Sequence, residues 1–157
     1  MTVTANTNRD LGFSRLLDAP RAAIWRCWTE PKLLMQWFCP PPWKVTHAEM
    51  DVRAGGPSLI VMTGPNGDAM PNRGIYLDIV PQQRMVFTDA FTQAWQPSQK
   101  AFMVATVDLS DEAGKTRYDV AVRHWSAEDR ASHEAMGFHE GWGKATDQLE
   151  ALARTLG

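Results

Sequence analysis

The sequence is poor in cysteine. Cys27 and Cys39 are the only two among 157 residues. Two thiols build no disulfide framework, so the fold must rest on an apolar core, and a reducing, cytoplasmic setting is expected. No run approaches the roughly 18 apolar residues that a membrane-spanning helix needs. The first ten residues, MTVTANTNRD, lack the apolar stretch of a secretory leader and are expected to be extended or disordered. Basic charge is not in excess either. The 16 Lys and Arg stand against 18 Asp and Glu, a net charge of -2. That leaves no surplus to neutralise phosphates and argues against nucleic-acid binding.

What the chain does have is tryptophan and methionine, seven and eight respectively. Trp brings bulk and one N–H to satisfy. Met fills irregular space. Together they suit either an aromatic-rich core or a lined cavity. The length fits one domain, expected over residues 11–157.

LGFSRLLD reads as a first strand. PRAAIWRCW follows as a helix, with Pro20 near its start. Thr29 is expected to cap a second short helix, EPKLLMQWF, which the prolines of CPPPW stop. The period then changes to two. KVTHAEMDVR, SLIVM, RGIYLDIV, RMVFTDAF, AFMVATVDLS and TRYDVAVRHW alternate and are separated by turn signals. From Ser126 to Leu156 there is no proline, and Ser126 suits an N-cap. About 29 helical residues would extend roughly 43 Å. On a wheel at about 100° per residue, Ala131, Ala135, Phe138, Thr146, Leu149, Ala153 and Leu156 share a stripe with Trp142. These elements predict an α+β domain: a curved antiparallel sheet wrapped around one long C-terminal helix, with two short helices after the first strand.

DVRAGG, GPNG, GIYLDIVPQQRMVF and GWGKATDQLEAL, with APRAAIWRCWTEPKLLMQWF upstream, stand in the order found in one known family. Over roughly Phe13 to Leu156 the chain resembles the activator of heat-shock-protein-90 ATPase homologues, in the START-like SRPBCC superfamily. The resemblance implies the helix-grip fold, with a cavity between sheet and helix. Two residues depart from it. Cys39 stands where relatives often have glycine, and Ser58 where an aromatic is common; Ser58 enlarges or polarises the cavity if it faces inward. The superfamily spans lipid carriers, cyclases, receptors and co-chaperones, so shared fold leaves function open.

Within DVRAGG, Asp51 and Arg53 are two apart and share a strand face, while Gly55 and Gly56 allow a turn. The structural reading is a charged pair feeding a glycine hairpin. The catalytic reading is weaker, because an arginine lowers the pKa of a neighbouring aspartate and makes it a poor base.

His133 begins HEAMG, a zinc-protease motif broken by Gly137, so no metal site is expected. The wheel turns His133 about 180° from Trp142, toward solvent, and puts His139 at the margin of the buried stripe. His124 shares strand parity with Tyr118, Val120 and Val122 and should aim at the helix and cavity. It reads as a satisfied histidine, a ligand anchor or a general base. Gly137 and Gly141 lie on one side of the helix and could admit another backbone, or let the helix bend.

Cavity candidates are Trp28, Trp37, Ile60, Met62, Tyr76, Phe87, Met103, His124, Phe138 and Trp142. Trp28, Trp37 and Trp43 could close its mouth. The inward face of residues 74–80 is open between Tyr76 and Asp78 on one side and Ile75, Leu77 and Ile79 on the other.

Three functions are weighed. The first is a binding module for a small hydrophobic or aromatic molecule, without cofactor, metal or catalytic residue. The second is a cofactor-independent enzyme of the polyketide-cyclase or hydrolase kind, using His124 with Tyr76 or Asp78 and water. The third is a co-chaperone-like ATPase activator, ranked last because co-chaperones resembling this module usually carry a further N-terminal domain. The first is preferred. A homodimer is also expected, to cover aromatic residues near CPPPW.

Overall fold

The computed structural model describes residues 8–93 and 95–156. Of the ten residues expected to be extended or disordered, 1–7 lie outside the described residues, and Asp10 already opens the first strand. That strand, β1 (Asp10–Leu17), leads into α1 (Arg21–Thr29) and a single turn, α2 (Pro31–Leu34). Then come β2 (Lys44–Met50), β3 (Pro57–Thr63), β4 (Ala69–Val80), β5 (Arg84–Thr88), the short β6 (Phe91–Gln93) and β7 (Gln96–Pro97), β8 (Met103–Glu112) and β9 (Lys115–His124). The chain closes with α3 (Ala127–Ala135) and α4 (Phe138–Leu156).

Seven strands form one antiparallel sheet in the order β1-β9-β8-β5-β4-β3-β2. The small β6–β7 hairpin stands apart from it. Alternation decides which face is inward. Along β9, Thr116, Tyr118, Val120, Val122 and His124 are all buried, at every second position. Registers carry that face across the sheet. Leu11, Val122, Ala105, Phe87 and Tyr76 form one transverse row, from β1 through β9, β8 and β5 to β4.

On this face lies α4, a 19-residue helix about 28 Å long. It buries Phe138, Ala145, Thr146, Leu149 and Ala153. Burying Leu149 alone contributes about 2 kcal/mol. Arg15 ties α4 to β1 through Asp147 at 2.8 Å and the Gly143 carbonyl at 3.2 Å. Beside α4 packs α1, which buries Ala23, Ile24, Cys27 and Trp28. This is the helix-grip arrangement, an α+β domain with two short helices after the first strand.

Three local expectations are corrected and one open alternative, the face of residues 74–80, is resolved. First, the C-terminal helix is broken. Ser126 does cap α3, its hydroxyl accepting from the Asp129 N–H at 3.1 Å. But α3 ends at Ala135, and Gly137 takes φ +93°. Glycine at that position closes a helix because it adopts a left-handed backbone at no steric cost. The break changes the helical phase, so Ala131 and Ala135 are exposed rather than buried, and His133 turns inward. His139 stands exposed, its Nε2 3.2 Å from Glu134. Second, Glu30, not Thr29, precedes the second helix. Thr29 ends α1 and donates its hydroxyl to the Trp25 carbonyl at 2.8 Å, while Pro31 opens α2.

Third, a bulge between Tyr76 and Asp78 resolves β4. The extra residue, Leu77, is exposed and lets Tyr76 and Ile79 both join the core while Asp78 faces out. Ile75 is buried too, apart from the main core. Fourth, β2 ends at Met50, so Asp51 and Arg53 lie in the connection to β3 rather than in a strand.

Candidate functional site

At the centre of the interior between sheet and α4 aromatic side chains pack against one another. Trp28 and Tyr118 stand there, both essentially inaccessible. Trp28 packs edge-on to Trp37, with centroids 4.9 Å apart, and stacks toward Trp142 at 6.5 Å. Trp37 donates its indole N–H to the Cys27 carbonyl at 2.9 Å. Trp28 and Trp37 are therefore core residues rather than a lid. The expected mouth at Trp43 is also missing: its ring packs over Gly64, where a Cβ would meet it at 2.9 Å.

An apolar cavity of about 320 Å³ lies instead at one end of α4. Its walls come from three places. The segment after α2 supplies Trp37, Phe38, Cys39 and Pro40; Met62 on β3 supplies the floor; the α3–α4 junction supplies His133, Met136, Gly137, Phe138, Gly141, Trp142 and Ala145. Gln148 holds the first wall in place, donating from Nε2 to the Trp37 and Cys39 carbonyls at 3.0 Å each. A Cβ added at Gly141 would meet nothing within 4 Å. No backbone of this chain's described residues therefore approaches Gly141, and the missing side chain leaves cavity space.

Four of the ten expected cavity residues line this space: Trp37, Met62, Phe138 and Trp142. Trp28, Ile60, Tyr76, Phe87 and Met103 belong to the core or pack against it. His124 stands one residue deeper. Phe38, His133 and Met136 went unrecognised, because each depends on where the helix breaks or the chain turns. The glycine after HEAM was the available signal.

His124 is buried at the end of β9. Its Nδ1 lies 2.7 Å from the Arg9 carbonyl oxygen. A carbonyl only accepts, so Nδ1–H donates. Its Nε2 lies 2.8 Å from His133 Nδ1. Phe102 and Phe138 pack edge-on or tilted around the two rings. Burial, and secondarily the neighbouring His124, push the His133 pKa down from 6.5 to about 4, with Asp89 opposing. The imidazole at the cavity wall is therefore neutral.

The rest of the wall offers little chemistry. Burial pushes the Cys39 thiol upward, so it is protonated and a poor nucleophile. No carboxylate lies among the described lining residues. The enzyme constellation of His124 with Tyr76 or Asp78 is not assembled. Tyr76 is buried and its hydroxyl pKa is pushed up, chiefly by burial, while Asp78 faces out of the sheet. No cluster of three metal-ligating side chains occurs among the described residues.

Two larger hollows among the described residues are more polar than this cavity. One, about 750 Å³, lies over the sheet's outer face near Gly12, Asp78, Ser110 and Asp119, and holds the Arg84–Asp108 ion pair at 2.9 Å. The other, about 420 Å³, borders Asp51, Ser58 and Arg73, so Ser58 does not reach the aromatic cavity. Size alone does not make a small-molecule site; apolar enclosure with few polar groups does.

Asp51 and Arg53 form an exposed ion pair, Nε to Oδ2 at 2.8 Å. Gly55 has φ +83° and donates its N–H to the Tyr76 carbonyl at 2.7 Å. A Cβ on Gly56 would collide with the Asp51 carbonyl. The DVRAGG segment is built as a turn that clamps β4.

Residues 18–154 match the model of the activator of Hsp90 ATPase homolog 1-like protein family. The chain belongs to that family. A crystal structure from Nitrosomonas europaea is 36% identical over 96% of this chain and 97% of that one, with a TM-score of 0.93. A protein of Rhodobacter sphaeroides shares the fold at 22% identity, covering 99% of both chains, with a TM-score of 0.85. The AHSA1-like protein from Aeromonas hydrophila does so at 15% identity, over 94% and 93%, with a TM-score of 0.73. No curated protein matches the sequence significantly. No described helix is long and apolar enough to cross a membrane.

Proposed function

We propose that this protein binds a small aromatic or apolar molecule in the cavity at the α3–α4 junction. The observation that carries the reading is the wall itself: Trp37, Phe38, Phe138 and Trp142 converge on one space with Met62 and Met136, beside a single imidazole. Aromatic faces and flexible thioethers suit flat ligands of varied outline. At about 320 Å³ the space fits one or two fused rings rather than a long lipid. Without a carboxylate or thiolate in the wall, binding is a better reading than turnover. Cytoplasmic action is proposed on the two buried, unpaired thiols.

The test is an amide-shift NMR titration with the methyl ether of β-naphthol, repeated on Gly141→Leu. Shifts are expected around residues 37–40 and 133–145. The leucine should fill the open space at Gly141 and weaken binding at least tenfold. Shifts confined to the outer face of the sheet, or none, would overturn the reading.

The family description favours a second reading, activation of a chaperone ATPase. An ATPase assay with a purified Hsp90 tests it, with stimulation expected if that reading holds.

A further inference from the structure

Among the described side chains of the cavity wall, His133 carries the one nitrogen that can accept a hydrogen bond, since the indoles of Trp37 and Trp142 can only donate. Two neighbouring rings determine what it offers. The Arg9 carbonyl must accept, so His124 carries its proton on Nδ1. Above pH 7 imidazoles are mostly neutral, and a neutral ring has one N–H and one lone pair. His124 Nε2 is therefore the lone pair, and the 2.8 Å contact requires His133 to donate from Nδ1. That leaves His133 Nε2 as a bare lone pair. It has no partner among the described residues, and its ring lines the cavity.

The tautomer is thus imposed from the backbone, through one buried ring, onto a second ring at the ligand wall. We infer that the cavity selects aromatic molecules bearing a hydrogen-bond donor, a phenolic O–H or heteroaromatic N–H, which His133 Nε2 accepts while Trp142 and Phe38 hold the ring. This rests on the reading of the cavity as a ligand site. A neutral acceptor attracts no anion, and the wall brings no cation. An aromatic carboxylate should therefore gain nothing over its uncharged parent.

The experiment compares β-naphthol with its methyl ether, which keeps the rings and removes the donor. Calorimetry at pH 7.5 on the wild type and on His133→Phe gives four affinities. Wild type is expected to prefer the naphthol about tenfold, the factor for a hydrogen bond of about 1.4 kcal/mol. His133→Phe preserves packing against Phe102 and Phe138 and should bring the two ligands within about twofold of each other. Equal wild-type affinities, or a preference surviving in His133→Phe, overturn the inference and leave the aromatic cavity standing. If neither naphthalene binds, both readings fall.

Should His133→Phe not fold, the wild type decides alone. Long-range proton–nitrogen correlation spectra distinguish the two ring nitrogens. His133 should show a protonated Nδ1 and a pyridine-type Nε2, and β-naphthol should move the Nε2 signal. A protonated Nε2 in the free protein overturns the inference.

Discussion

Trp28 donates its indole N–H to the Tyr118 hydroxyl across 3.1 Å at the centre of the core, and neither residue is appreciably exposed. That bond joins α1 to β9 and satisfies the one polar atom of the indole. Tyr118→Phe strands the indole N–H without changing ring volume. A loss of about 1–3 kcal/mol is expected, the desolvation cost of a buried unpaired donor. Trp28→Phe should cost more, because a cavity is added to the unpaired hydroxyl. Urea unfolding of both single variants and the double variant checks this. The double variant should lose less than the sum, since removing both partners leaves nothing unpaired.

Two glycines in the same part of the chain should respond to alanine with opposite signs. Gly141 is inside α4 with open space around its Cα. Gly141→Ala is expected to stabilise by about 0.5–1 kcal/mol through helix propensity alone. Gly137 has φ +93°. Gly137→Ala must strain the backbone or extend α3, and is expected to destabilise by about 1 kcal/mol or more. Thermal melts of the pair settle it; a Gly137→Ala change without loss would refute the assignment of Gly137 as the helix terminator, and a loss on Gly141→Ala would refute the open space around Gly141.

Those glycines also mark where the sequence was readable and where it was not. Strand faces were legible because burial follows period two, and β9 from Thr116 to His124 keeps it without interruption. The inward side of residues 74–80 was not, since a bulge is defined only by the partner strand and shifts the alternation by one. The stripe through Thr146, Leu149 and Ala153 was legible, as α4 is regular. Extending the same wheel back through Gly137 put His133 on the solvent side and hid the cavity. A wheel assumes one continuous phase; a single left-handed residue resets it. The expected exposed aromatics near CPPPW also failed, because Trp37 is buried and Phe38 and Trp43 are partly covered. The large exposed aromatic side chains among the described residues are Trp95 and Trp125, while the exposed Met136 shares the cavity wall with Cys39 and Pro40.

The thiols give a prediction about reactivity. Burial lifts the Cys27 pKa to about 11 and raises that of Cys39 as well. Only the thiolate is a nucleophile. At pH 8 both should resist iodoacetamide in the native protein and alkylate rapidly in denaturant. Mass spectrometry before and after unfolding counts the adducts. Rapid native labelling at Cys39 would mean that the cavity wall opens at the Trp37–Pro40 segment.

The histidine pair predicts how stability depends on pH. His133 titrates near 4 in the folded protein, against 6.5 for an ordinary histidine. Between those values the unfolded chain binds more protons at this site than the folded one. Acid therefore favours unfolding, and stability rises with pH until about 6.5, above which this group contributes no further change. Falling pH should remove stability progressively from 6.5 down to about 4. A fully enclosed ring would lose about 3 kcal/mol across that span. His133 is partly accessible, so a loss on the order of 1–2 kcal/mol is expected. Other titrating groups lie close by, notably His124, Asp89 and the Glu134–His139 pair. The measurement is therefore differential: urea unfolding at pH 7 and pH 4.5, wild type against His133→Phe. The phenylalanine cannot be protonated, so its loss should be smaller by the amount assigned to His133. Equal losses in the two proteins would place the acid sensitivity elsewhere and show that protonation of this ring does not loosen α3 from the sheet.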